Sequence, residues 1–176
     1  HLHDQIENFL SETDYGVDIR LLHETDILET GGAIKNAQRL LEAEPFFVVN
    51  ADVISSIDLA ALYAFHLASG CTATLALHDD DRFNTVTVDA DSLITGFKKN
   101  ADALAFTGIQ VLSPDIYYYF PPEEKFSSIS VYRRLCRKRK IKAYLPGRIF
   151  WSDIGTPEDY QMTSLRFLCA RSMNIA

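Results

Sequence analysis

The run Phe46-Phe47-Val48-Val49, closed at once by Asn50-Ala51-Asp52, constrains this chain more than any other stretch. Four consecutive apolar residues leave no polar face, so the run reads as a short strand buried on both faces of a parallel sheet. Ligands of open α/β sheets bind outside the carboxyl ends of the strands, which puts Asp52 at the expected crevice. Helical and strand-like periods alternate around it. Leu2, Ile6, Phe9 and Leu10 have helical spacing up to Tyr15-Gly16, and residues 17–23 alternate apolar and polar side chains as a strand does. After Glu29-Thr30-Gly31-Gly32, the residues Ala33, Ile34, Ala37, Leu40 and Leu41 form one amphipathic stripe with Thr30 as its expected N-cap. Ser56 is expected to cap a helix through Leu59, Leu62, Tyr63 and His66, which Gly70 stops before a strand at 71–77.

Three strand-like stretches then follow closely, at 85–88, 93–97 and 104–111, and predict an antiparallel or mixed part of the sheet. Pro114 opens a short helix that Pro121-Pro122 breaks. Residues 127–139 read as a helix, 141–145 and 148–151 as short strands, and Pro157 starts the final helix at its first position. The expected fold is α/β, an open mixed sheet flanked by helices. With 176 residues and no linker, repeat or low-complexity tract, residues 1–176 are one domain.

Charge narrows the function. Seventeen basic against twenty-four acidic residues give a net charge of −7, the wrong balance for binding nucleic acid or an anionic membrane over the whole surface. No apolar run approaches the roughly 18–20 residues that span a bilayer. Seven bases (Arg133, Arg134, Arg137, Lys138, Arg139, Lys140 and Lys142) cluster at a predicted helix end. No aromatic platform interleaves with them, so a solvated face is favoured over an RNA site. Asp79-Asp80-Asp81 reads as a solvated turn, and His1 and His3 fall at an end expected to fray. Cys71, Cys136 and Cys169 show no C-x-x-C spacing and are expected as free thiols in a reducing, cytoplasmic compartment. No Gly-x-Ser-x-Gly element supports a serine hydrolase.

Two acids stand where strands end. Asp52 follows the apolar run, and Asp153 lies in Trp151-Ser152-Asp153-Ile154-Gly155-Thr156-Pro157, where a strand passes into a helix. Either alone is an ordinary turn or cap residue; together they could share one hard cation such as Mg²⁺. The glycines of Glu29-Thr30-Gly31-Gly32 would let a ligand approach a helix start, or serve only a tight turn. Lys98-Lys99 could meet a phosphate or lie on solvated surface. Thr107-Gly108 interrupts a β-prone run, as a bulge or a close ligand approach does.

Leu28-Glu29-Thr30-Gly31-Gly32-Ala33-Ile34, Pro45-Phe46 to Asp52, Phe106-Thr107-Gly108-Ile109 and Phe150 to Glu158, in that order, resemble the sugar-1-phosphate nucleotidyltransferases. The likeness covers essentially the whole chain. It is greatest to the mannose-1-phosphate guanylyltransferase-like and N-acetylmuramate-1-phosphate uridylyltransferase-like branches. It implies a Rossmann-like (GT-A-like) sheet and transfer of a nucleotidyl group from a nucleoside triphosphate to a sugar-1-phosphate. It also implies Mg²⁺ held by Asp52 and Asp153, and a nucleotide near Glu29, Thr30, Gly31, Gly32, Asn50 and Ala51. Lys99, Thr107 and Gly108 are implied at the sugar-phosphate, with Asp52, Asp153 and Lys99 as the catalytic set. The implied partners are the two substrates, with a homo-oligomer as an option and neither nucleic acid nor membrane among them.

Two departures qualify the resemblance. The family's Glu-Lys-Pro is Lys98-Lys99-Asn100 here, a cation where a carboxylate would hold a sugar hydroxyl. The family's opening strand and G-x-G-T-R loop have no counterpart in these 176 residues, so the chain is expected to be N-terminally truncated and inactive by itself. Two other readings stay open. One is a non-catalytic regulatory or assembly domain of the same fold. The other is a GT-A glycosyltransferase using an NDP-sugar, although Asn50-Ala51-Asp52 supplies only one carboxylate of the Asp-x-Asp such enzymes carry.

Overall fold

The computed structural model describes residues 2–41 and 43–172, apart from the side chains of 169–172. The expectations for His1 and for the Cys169 thiol lie outside the described residues. In chain order the elements are α1 (His3–Ser11), α2 (Glu29–Asn36), α3 (Gln38–Leu41), β1 (Phe46–Val49), β2 (Val53–Ser55), α4 (Leu59–Ser69) and β3 (Ala73–His78). There follow β4 (Asn84–Val88), β5 (Ile94–Phe97), β6 (Leu104–Leu112), a 3₁₀ helix (Pro114–Tyr119), α5 (Ser128–Arg137), β7 (Ile141–Tyr144), β8 (Trp151–Asp153) and α6 (Pro157–Ser172). Among the described residues no helix is long and apolar enough to cross a membrane.

Six strands form one mixed sheet in the order β5-β4-β6-β3-β7, with β1 also paired to β6. The long β6 organises it: its first residues pair with β4, its last four pair with β1, and β3 runs along its other side. Among the described residues only β3 and β7 pair in parallel. In β3 alternate side chains feed two cores, as the period of two dictates. Ala73, Leu75 and Leu77 join the larger core, packed with α5 residues Val131, Tyr132 and Leu135. Ala76 turns the other way to Leu62 of α4 and to Ile57. The sheet is therefore covered on both sides, as expected for an α/β fold.

Burial on both faces is thus found in β3 and in β6 from Thr107 to Leu112, not in β1. Pairing of β1 is antiparallel and confined to β6, and Phe47 and Val49 are exposed. Its apolar run reflects one face on the core, through Phe46 and Val48, and a second face on which Phe47 meets the ring of Tyr63. Residues 17–23 form no strand either. Among the described residues no neighbour pairs with them, and Val17, Ile19, Leu21 and Leu22 stay exposed. A lone extended segment has no ladder to hold it.

Caps also moved. α2 begins at Glu29 without a side-chain cap from Thr30, and it closes at Ala37, so the predicted single stripe becomes two short helices. Asp58 caps α4, its Oδ1 accepting from the Ala61 N–H at 2.9 Å, while Ser56 Oγ accepts from the Phe150 N–H. Gly70 ends α4 in the left-handed region at φ 62°, as expected, and Ser127, read as part of the helix, instead caps α5. The strand expected at 148–151 lies at Trp151–Asp153, which matters for the site.

Candidate active site

The two aspartates are brought together by a short antiparallel ribbon of β2 and β8. Val53 pairs with Asp153, and the Ile154 N–H donates to the Asp52 carbonyl at 2.8 Å. Gly155 lies at the meeting point of the two side chains. A Cβ added there would sit 3.2 Å from Asp153 Oδ1 and 3.5 Å from Asp52 Oδ2, so both carboxylates border one small space that a glycine leaves free. The Gly155 N–H donates to Asp153 Oδ1 at 3.0 Å, which holds that carboxylate in an Asx turn.

Thr107 and Gly108 of β6 are the post to which both acidic segments are tied. The Gly108 carbonyl accepts from the Asn50 N–H at 3.0 Å, two residues before Asp52. The Thr107 carbonyl accepts from the Trp151 indole N–H at 2.9 Å, two residues before Asp153. Gly108 has φ 77°, and a Cβ there would come within 2.9 Å of Asn50 Cγ, so glycine is required for the turn and for the approach. Thr107 is fully buried, and its hydroxyl donates to the Ala76 carbonyl at 2.9 Å. Its side chain therefore faces the core, which leaves only its backbone for the expected contact with a sugar-phosphate.

A basic group missed by sequence reasoning stands beside Asp153. Arg82 donates from both terminal nitrogens to the two oxygens of Asp159, at 3.1 and 3.2 Å. That hydrogen bond, more than any other influence, holds the Asp159 carboxyl below its usual range, with Thr156 adding to it. The Arg82 guanidinium also feels the charges of Asp80 and Asp153. It thus fastens the turn before β4 to the first turn of α6, immediately after Gly155. His78, at the end of β3, lies against the Trp151 ring with centroids 4.5 Å apart. Burial lowers its pKa, opposed by Asp80 and Asp79.

Gly31 and Gly32 are buried in α2, and their missing side chains admit the segment 124–126. A Cβ on Gly31 would meet the Phe126 ring at 2.5 Å, and one on Gly32 would collide with the Glu124 carbonyl oxygen. Packing thus accounts for both glycines. Glu29, with φ 61°, and Thr30 stay exposed at the helix start. Asn50 and Ala51 are exposed beside Asp52. Lys99 is exposed beyond β5, and no hydrogen bond or ion pair among the described residues joins it to either aspartate.

Among the described residues no three His, Cys, Asp or Glu side chains form a ready metal cage. Two hard carboxylates around a side-chain-free glycine nevertheless suit Mg²⁺. That ion binds through one or two carboxylates and takes its other ligands from water and substrate phosphates.

The fold is thus an α/β domain in which a two-stranded ribbon beside the main sheet brings two carboxylates together at a glycine. The chain belongs to the nucleotidyl transferase family, whose model matches residues 2–168. D-glycero-alpha-D-manno-heptose 1-phosphate guanylyltransferase of Campylobacter jejuni is 32% identical over 161 residues, spanning 90% of this chain and 72% of that protein. Probable mannose-1-phosphate guanylyltransferase 2 of Oryza sativa is 32% identical over 179 residues, and there the chain spans 47% of the protein. The crystal structure of HddC from Yersinia pseudotuberculosis complexed with GMP-PN superposes with a TM-score of 0.71 at 27% identity. That superposition covers 93% of this chain and 74% of the other.

Proposed function

We propose that this chain carries the acidic centre of a sugar-1-phosphate nucleotidyltransferase. In the reaction an oxygen of the sugar-1-phosphate attacks the α-phosphorus of a nucleoside triphosphate. The new O–P bond forms as the bond to the β-phosphate oxygen breaks, releasing pyrophosphate and an NDP-sugar. The relatives' names make GTP and a heptose- or mannose-1-phosphate the first pair to assay. Both substrates are anions, so the obstacles are bringing them together and stabilising charge at the transferred phosphorus.

The observation that supports this reading is the convergence of Asp52 and Asp153 around Gly155. These are the residues that would hold Mg²⁺, which when bound neutralises phosphate charge. Asn50 and Ala51, exposed beside Asp52, and the exposed backbone at Glu29 and Thr30 would face the nucleotide. Gly31 and Gly32 would support that backbone from beneath, through their packing on 124–126. Lys99 would meet the sugar-phosphate, and Thr107 and Gly108 would serve it by anchoring Asn50 and Trp151. Without a G-x-G-T-R loop, we expect these 176 residues alone to form no NDP-sugar.

Divalent-metal binding tests the centre separately from turnover. Titrating the chain with Mn²⁺ and following free ion by electron paramagnetic resonance should give one site, lost in Asp52→Asn and in Asp153→Asn. A stoichiometry and affinity unchanged in both variants would remove the basis for the assignment.

A further inference from the structure

Residues 79–83, which join β3 to β4, form a turn bonded to itself. The Asp80 carbonyl accepts from the Phe83 and Asn84 N–H groups at 2.9 and 3.0 Å, and Asp80 Oδ1 accepts from the Arg82 N–H at 3.0 Å. Asn84 answers from the far end. Its side-chain carbonyl accepts from the Asp80 N–H at 3.0 Å, and its amide donates to Asp79 Oδ1 at 2.8 Å. Two residues of the acidic run therefore brace the turn and fix where Arg82 and Phe83 leave it. These two side chains also pack on each other, the guanidinium 4.9 Å from the Phe83 ring centroid.

That one turn grips the Asp153 segment on both sides. Toward β8, the Phe83 ring stands edge-on to Trp151 with centroids 5.6 Å apart, next to the contact that His78 makes. Toward α6, Arg82 forks onto both oxygens of Asp159. Other bonds of α6 do not supply this anchor. The Thr156 hydroxyl donates to Asp159 Oδ2 at 3.0 Å and accepts from the Asp159 N–H at 3.1 Å, which closes the first turn of α6 within the helix. The hydroxyls of Ser152 and Thr163 bond at 2.6 Å, which joins α6 to β8, the strand that carries Asp153 itself. Arg82 joins it to the β3–β4 turn instead, an element with its own fixed place in the main sheet.

We propose that Arg82 is a positioning residue for the dicarboxylate: by pinning Asp159 it holds the turn from Asp153 to Gly155 in place against Asp52, with Phe83 steadying Trp151 from the same turn. The inference rests on the reading of Asp52 and Asp153 as the metal-holding pair. A planar fork engages both carboxylate oxygens at once, so it sets the orientation of the first turn of α6 as well as its distance. Charge by itself works the other way. A guanidinium close enough to feel Asp153 repels any cation held there.

Removing Arg82 therefore has two effects of opposite sign on metal binding, and the sign found tells them apart. Loss of a repelling charge tightens Mn²⁺, and loss of position loosens it. In the Mn²⁺ titration, Arg82→Gln should bind roughly two- to fivefold more weakly than the parent, the range of a surface pair. Amide hydrogen exchange in EDTA reads position with no metal present. The Ile154 N–H, bonded to the Asp52 carbonyl at 2.8 Å, spans the two acidic segments. It should exchange roughly two- to fivefold faster in Arg82→Gln, with Arg82→Lys in between, and by a larger factor than Leu75 and Gln110 at the centre of β3 and β6. Arg82 is exposed, so the fold is not at stake. An unchanged Ile154 rate, or one that rises only in step with β3 and β6, overturns the proposal. So does Mn²⁺ binding by Arg82→Gln as tight as the parent's or tighter, with the metal-holding reading left standing. A parent chain that takes up no Mn²⁺ removes that reading instead, and the Ile154 rate then decides by itself whether Arg82 places Asp153.

Discussion

Replacing Gly32 by Ala decides whether the paired glycines serve packing or ligand approach. The added Cβ would overlap the Glu124 carbonyl oxygen and lie 2.9 Å from Leu28 Cβ. Neither neighbour is a flexible side-chain tip, so α2 and the segment 124–126 must separate. That movement strains two backbone bonds, Gly32 N–H to the Phe126 carbonyl at 3.2 Å and Phe126 N–H to the Leu28 carbonyl at 3.1 Å. It also disturbs Lys35, whose ammonium donates to the carbonyls of Pro121, Pro122 and Glu123 at 2.9 Å each. Overpacking costs about 1–3 kcal/mol, and each weakened bond about 1 kcal/mol. Against this, alanine regains about 1 kcal/mol of helix propensity. The net loss is about 2–4 kcal/mol, which lowers the urea midpoint by roughly 1–2 M at a typical slope for this chain length. A midpoint that stays put or rises, with nucleotide affinity alone reduced, would refute the packing account.

Gly155→Ala should act in the opposite way. The site is exposed and φ is ordinary, so the melting temperature should hold, while the methyl between the carboxylates lowers Mn²⁺ affinity about tenfold or more by crowding the ligand oxygens. An undiminished affinity would place the metal elsewhere. In an active form of the enzyme, Asp52→Asn should remove several kcal/mol, roughly, of transition-state stabilisation, read as kcat/KM for pyrophosphate release. Near-normal turnover at saturating Mg²⁺ would contradict the assignment. Stability should also fall on acidification through His66. Burial lowers its pKa against the opposing charge of Asp115, and in the fold its two ring nitrogens bond Thr74 and Ser113 at 2.9 Å. The unfolded chain takes up that proton near pH 6.5 and the fold only at lower pH, so stability declines below about pH 6.5 and levels off beneath the folded value. Urea midpoints at pH 7.5 and 5.0 should differ less in His66→Asn than in the parent, and equal differences would count against it.

Much of the fold was legible because its strands are local. β4, β5 and β6 follow one another with turns between, and each has enough residues to show its alternation. The misreadings came where burial depends on distant partners. Thr72, just before β3, and Thr74 within it look like surface positions. Both are buried, because Asp115 accepts from the Thr72 hydroxyl at 2.6 Å and His66 satisfies Thr74. In β1, an unbroken apolar run suggested two covered faces, yet the strand lies at the margin of the sheet. Residues 17–23 alternate correctly, and alternation alone cannot supply a pairing partner.

The site was legible residue by residue, but its assembly was not. Asp52 and Asp153 each sit where a strand ends, and that much is local. Their meeting depends on β2 and β8, three residues apiece, too short for any period to register. Nothing near Arg82 in sequence points to Asp159, since that pair spans two elements that touch only after folding. Thr107 and Gly108 carried a signal whose meaning the structure changes: the interruption in β6 anchors the segments that carry the acids. The geometry of the dicarboxylate is therefore a property of β6 as much as of the aspartates. An alanine at Gly108, forced against Asn50, should displace Asp52 without touching it.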